Sequence, residues 1–78
     1  MNGDRLLHAV GLTWGELAVT LDEAMGGLRP GEVLEVRTDD PGAGPDLVAW
    51  CGVTGHTFVG LGKANGYTRY FIRKEILQ

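Results

Sequence analysis

Between Thr13 and Leu28, apolar residues fall at positions 14, 17, 18, 21, 24, 25 and 28, the spacing of one helix face. Both ends of this run carry their own punctuation. Thr13-Trp14-Gly15-Glu16 has the capping-box form, in which the Thr13 hydroxyl accepts from the Glu16 amide while the Glu16 carboxylate accepts from the Thr13 amide. Gly26-Gly27 offers the left-handed conformation that a helix C-terminal cap commonly uses. One amphipathic helix is therefore specified locally, and the rest of a 78-residue chain must supply the surface that covers its apolar face.

The flanking segments read as strands and one further helix. Leu6, Leu7, Ala9 and Val10 form an apolar run ended by Gly11, long enough for a strand and too short for a helix. Glu32 to Thr38 alternates Val33, Glu35 and Arg37 against Leu34 and Val36, so Leu34 and Val36 should face the helices. Asp39 to Gly44 has loop chemistry, and Pro45 suits the first position of a second helix, where its missing amide hydrogen costs nothing. Leu47, Val48, Trp50, Cys51 and Val53 are the expected buried stripe of that helix, with Gly55 as its cap. His56 to Leu61 and Tyr67 to Arg73 read as an antiparallel hairpin closed through Gly62 to Gly66, where Asn65-Gly66 favours a tight reversal. The order β-α-β-α-β-β predicts an α/β fold of the α+β kind, a two-layer sandwich in which a four-stranded mixed sheet carries both helices on one face. Its first crossover should be right-handed. No repeat divides the chain, and residues 1–78 read as one domain.

Composition excludes several classes. A single cysteine, Cys51, permits no internal disulfide, and no Cys/His spacing matches a structural zinc site, so no metal is expected. Gly60-Leu61-Gly62 leads into a hairpin rather than a helix and is no phosphate loop, and no cofactor is expected. The N-terminus lacks a basic region followed by an apolar run, and no apolar stretch reaches the ~20 residues of a membrane span, which makes the cytoplasm the default location. Net charge is −3, with no basic cluster longer than Arg73-Lys74, which argues against nucleic acid as the partner.

The stretch Leu28 to Ala43, reading LRPGEVLEVRTDDPGA, followed by Trp50-Cys51 and Thr54-Gly55-His56 and preceded by Leu7 to Met25, resembles the TusA/SirA family of small sulfur-carrier proteins. Members read roughly Leu-Asp-x-x-Gly-Leu-x-Cys-Pro-x-Pro before the first helix. Setting Gly11-Leu12 on the family's Gly-Leu brings Trp14, Gly15 and Leu17 to the positions of its Cys and two Pro residues. The resemblance implies that the family cysteine takes a sulfane sulfur from a donor persulfide and hands it on. Free amides and the helix dipole favour a thiolate at that place. Trp14 supplies no nucleophile there. The resemblance also implies a fold like the C-terminal domain of bacterial translation initiation factor three, an RNA-related module.

Three functions follow as expectations. The first is an accessory or protein-interaction module without sulfur turnover, docking a sulfur-transfer or redox protein through Thr13, Trp14, Gly15, Glu16 and Leu17. Trp14 then reads either as a docking anchor or as a ring packed over the sheet edge. The second is a sulfurtransferase in which Cys51 is a displaced persulfide acceptor. Its helical stripe points instead to a packed thiol, and the late turns of a helix present the wrong end of the dipole to a thiolate. The third is RNA binding through the shared fold. Of the remaining candidates, His56 reads as a cap or strand start, and His8, Cys51 and His56 are too isolated for a metal site. Asp39 and Asp40 read as turn formers, and Arg37, Arg69 and Arg73 as a solvent-facing row.

Overall fold

Six elements follow in the expected order: β1 (Arg5–His8), α1 (Trp14–Gly26), β2 (Val33–Thr38), α2 (Ala43–Thr54), β3 (Thr57–Ala64) and β4 (Tyr67–Arg73). They come from a computed structural model that describes residues 3–76. The four strands form one sheet in the order β1-β2-β4-β3, with β1 parallel to β2 and both other pairs antiparallel. Both helices lie on one face of it, as the expected two-layer α+β sandwich requires.

Alternation decides which strand residues reach the helices. Leu34, Val36 and Thr38 of β2 lie opposite Ile72, Tyr70 and Thr68 of β4. Leu34, Val36 and Ile72 are fully buried beneath Leu17, Leu21, Ala24 and Met25 of α1 and Ala43, Leu47 and Cys51 of α2. The α1 stripe is the one its spacing predicts. The α2 stripe is narrower than expected: Val48 and Val53 are exposed and Trp50 is half-buried, leaving Ala43, Leu47 and Cys51 at i, i+4 and i+8. A short helix with apolar residues all round offers no periodicity from which to choose a face.

Three boundaries differ from expectation for local reasons. β1 ends at His8 rather than Val10, because the amide of Leu12 donates to the carbonyl of Ala9 and Gly11 takes φ +86, closing a turn before α1. α2 begins at Ala43, two residues before Pro45, because the Asp40 carboxylate accepts from the Gly42 amide at 2.9 Å and the Asp40 carbonyl from the Ala43 amide. The hairpin strands run on to Ala64 and from Tyr67, so only Asn65-Gly66 remains as the reversal. Gly66 alone has positive φ there.

α1 does not end in the left-handed cap expected of its glycines. Gly27 stays right-handed, at φ −86 and ψ −4. The Ala24 and Met25 carbonyls accept from the Gly27 and Leu28 amides and also from cations brought from elsewhere: Lys74 Nζ donates to Met25 O at 2.6 Å and Arg5 Nη1 to Ala24 O at 3.4 Å. The last turn of α1 has no basic residue of its own, and these two side chains face the negative end of its dipole.

The face away from the helices holds Glu35, Arg37, Arg69 and Phe71. Arg37 lies directly opposite Arg69, a pairing of like charges that would destabilise the sheet by itself. Glu35 offsets it, accepting from Arg37 Nε at 2.7 Å and Arg69 Nε at 3.0 Å. Arg37 also lies over the Tyr67 ring and Arg69 over the Phe71 ring. Beneath this lattice Glu35 is only 5% exposed. The hydrogen bond from Arg69, more than any other influence, holds its carboxyl below the ordinary value. Glu35→Gln should therefore destabilise the fold by about 1.5–3 kcal/mol in urea unfolding at pH 7, the range for hydrogen bonds to charged groups. Because the carboxyl's value is lowered on folding, this contribution is present above pH 4.5 and lost as pH falls through the folded-state value. The wild-type and variant unfolding midpoints should converge in acid.

Candidate functional site

The opening turn of α1 is built as its sequence specifies. Thr13 is the N-cap, in extended conformation. Its amide donates to Glu16 Oε1 at 3.0 Å, its hydroxyl donates to the same oxygen at 2.9 Å, and the Glu16 amide donates to Thr13 Oγ1 at 3.4 Å. The bond from the Thr13 amide, then that from its hydroxyl, holds the Glu16 carboxyl below its usual value. Trp14 is the first helical residue, half-buried, with its ring packed against the edge of the core. One portion of this side chain packs and the rest meets solvent. A Cβ placed on Gly15 would meet no atom within 4 Å, so the surface beside the indole is open. Leu17 is buried at 1% exposure, so it seats the turn rather than presenting a contact.

This turn is tied to the loop that opens the second helix. Asp39 Oδ1 accepts from the amide of Gly11 at 2.9 Å, while Asp40 Oδ1 accepts from the amide of Gly42 just ahead of α2, so the adjacent aspartates serve backbone amides of two different loops. In register, His8 of β1 lies beside Arg37 of β2, and Thr38 lies opposite Thr68 of β4. The starts of both helices and the β3–β4 hairpin therefore share one end of the sheet. A cleft of about 380 Å³ lies there, between Asp39, Asp40 and Pro41 on one side and Lys63, Tyr67 and Tyr70 on the other. Gly44 lets Tyr70 approach α2, since a Cβ at that position would stand 3.0 Å from the Tyr70 hydroxyl oxygen. Sequence reading missed the cleft because it is assembled from segments more than twenty positions apart; the Asp-Asp-Pro loop was its one local sign.

Cys51 lies elsewhere. α2 runs away from this end and finishes beside Thr57, which pairs with Arg73 at the opposite end of the sheet. The thiol is in the last turns of α2, 4% exposed, and burial pushes its titration up. The Cys51 carbonyl accepts from the amide of Gly55, whose φ of 86 makes it the expected left-handed cap. Among the described residues, no group of three His, Cys, Asp or Glu side chains is placed to hold a metal ion. His56 stands directly before Thr57, the first residue of β3, as a strand start, with its ring stacked on Trp50 and Nδ1 accepting from the Glu75 amide. The arginine row is likewise engaged, Arg37 and Arg69 with Glu35 and Arg73 with Glu75. Among the described residues no helix is long and apolar enough to cross a membrane.

Comparison with known proteins agrees with this architecture. The family described as Sulfurtransferase TusA matches residues 17–74, a span that begins just after the capped turn carrying Trp14. The chain is 36% identical to YrkF of Bacillus subtilis (strain 168) over 74 residues, covering 95% of this chain but only 40% of that longer protein. It is 34% identical to YrkI of the same organism over 74 residues, covering 95% of this chain and 99% of YrkI. With the sulfur carrier protein TusA of Pseudomonas paraeruginosa (strain DSM 24068 / PA7) the identity is 33% over 72 residues, covering 92% and 91% of the two chains. Fold, element order and these likenesses converge: the chain belongs to the TusA family.

Proposed function

We propose that this chain is a non-catalytic accessory or protein-interaction module of sulfur transfer, which docks a sulfur-transfer or redox protein through the opening turn of α1. The observation that carries this reading is the residue at the first helical position. Amide groups and the positive end of the helix dipole there would favour a thiolate or persulfide, and an indole can neither attack a sulfane sulfur nor hold one. The same indole is suited to docking: it is rigid, half-exposed and flanked by the open surface at Gly15. Thr13 and Glu16 fix its backbone, and Leu17 anchors the turn from below. The burial of Cys51 and its raised titration add support, since the one available thiol is poorly placed to serve as a carrier.

Incubation with a cysteine desulfurase and cysteine tests the reading by intact-mass spectrometry. No addition of a sulfur atom is expected, under conditions in which a relative with the family cysteine is loaded. Binding to the desulfurase should weaken on Trp14→Ala. Addition of one sulfur, abolished by Cys51→Ser, would replace this reading with that of a carrier using Cys51.

A further inference from the structure

The residues that follow β4 cross the far ends of both helices, and their backbone is held by one side chain able to change charge near neutral pH. The amide of Glu75 donates to Nδ1 of His56 at 3.2 Å. Nδ1 can accept only in the neutral imidazole, with the proton on Nε2. The His56 ring is fixed by stacking on Trp50 of α2, at 5.6 Å between centroids and 28° between planes. Its neighbours along the chain are fixed too. Lys74 Nζ reaches Met25 O at the end of α1, the Lys74 amide donates to Glu32 O, and the Glu75 carboxylate accepts from the Thr57 hydroxyl and from Arg73 Nε. The segment thus joins α1, α2, β3 and the approach to β2.

We propose that His56 is the acid-sensitive catch of a latch, holding the backbone at Glu75 beside the end of α2 while neutral and releasing it there when protonated, with Lys74 kept in place by its backbone bonds to Gly31 and Glu32. Gain of a proton turns Nδ1 from acceptor to donor, so the Glu75 amide faces another N–H and loses its partner. It also places a positive charge near Lys74, opposing the cation that satisfies the end of α1. The Glu75 carboxylate holds Thr57 and Arg73 through Oε2, so any contact it makes with the protonated ring leaves the Glu75 amide without its acceptor.

The charged groups facing His56 come from two directions. Lys74 opposes protonation, while Glu75 and Asp22 of α1 favour it. Burial is the largest influence, Lys74 adds to it, and together they hold the imidazole below its ordinary 6.5. A lowered folded-state value stabilises the closed latch fully above pH 6.5 and weakens it as pH falls through that lowered value.

Heteronuclear NMR of the whole chain between pH 8 and pH 4.5 tests the latch, following the His56 ring and the Glu75 amide together. Both should titrate with one midpoint, below that of an unstructured histidine. The protection of the Glu75 amide, corrected for intrinsic exchange, should fall about fivefold across it, the factor expected from one net hydrogen bond. His56→Gln, whose amide oxygen can accept but does not titrate, should remove the transition at Glu75. A Glu75 amide that stays unmoved while the wild-type ring titrates would overturn the proposal. So would a transition that persists in His56→Gln.

Discussion

Leu21→Ala is expected to lower stability by about 3–5 kcal/mol, the range measured for truncating a fully enclosed leucine. Leu21 is 0% exposed in the middle of α1, above Leu34 and Val36 of the sheet. The loss contains the transfer cost of the deleted carbons and the cost of the void they leave. At typical per-residue stability 78 residues supply roughly 4–12 kcal/mol in total, so the variant should lie near the limit of folding at room temperature. Val19, two residues away on the opposite side of the helix and 62% exposed, is the control, and Val19→Ala should stay within about 0.5 kcal/mol of wild type. Urea unfolding at pH 7 measures both. Equal, small losses would mean that α1 is not seated through the face its spacing selects.

That seating was legible in the sequence because every signal for α1 is local. The capping box closes within four residues, and the apolar positions repeat at a period that only a helix satisfies. Gly55 and Asn65-Gly66 were legible for the same reason, each answering a backbone requirement at its own position. Elements whose placement depends on distant partners were not. Glu35 read as one more solvent-side residue of an alternating strand. Its burial requires Arg69, thirty-four positions away, to arrive on the neighbouring strand.

The start of α2 follows the same rule. Proline at position 45 is a sound local signal, yet the helix opens earlier because Asp40 captures the amides before it. At the candidate site, the place of residue 14 at the helix opening could be read from the sequence, being fixed by the cap. The link from Asp39 to Gly11, the cleft beside it and the contact of His56 with Glu75 are long-range and had no local mark. The exposed valines of α2 show a third cause, a segment apolar on all sides, where burial is decided by which residues the sheet can reach.

Trp14→Cys should create a thiol that reacts with iodoacetamide at pH 7 more than tenfold faster than Cys51 does in the wild-type fold, because reaction follows thiolate fraction and access together. Position 14 opens α1, where unpaired amides and the dipole stabilise an anion and lower a thiol below its usual ~8.5. Cys51 has the opposite circumstances: it is buried, its titration is raised, and it lies toward the negative end of α2. One nearby charge works against residue 14, the Glu16 carboxylate held at Thr13. Adding Glu16→Gln should therefore lower the new thiol further, at some cost to the cap. The measurement is the rate of alkylation against pH, with Cys51→Ser in the background so that one thiol reports, and circular dichroism to establish folding. A thiol at position 14 no faster than Cys51 would show that the helix opening lacks the anion-favouring field.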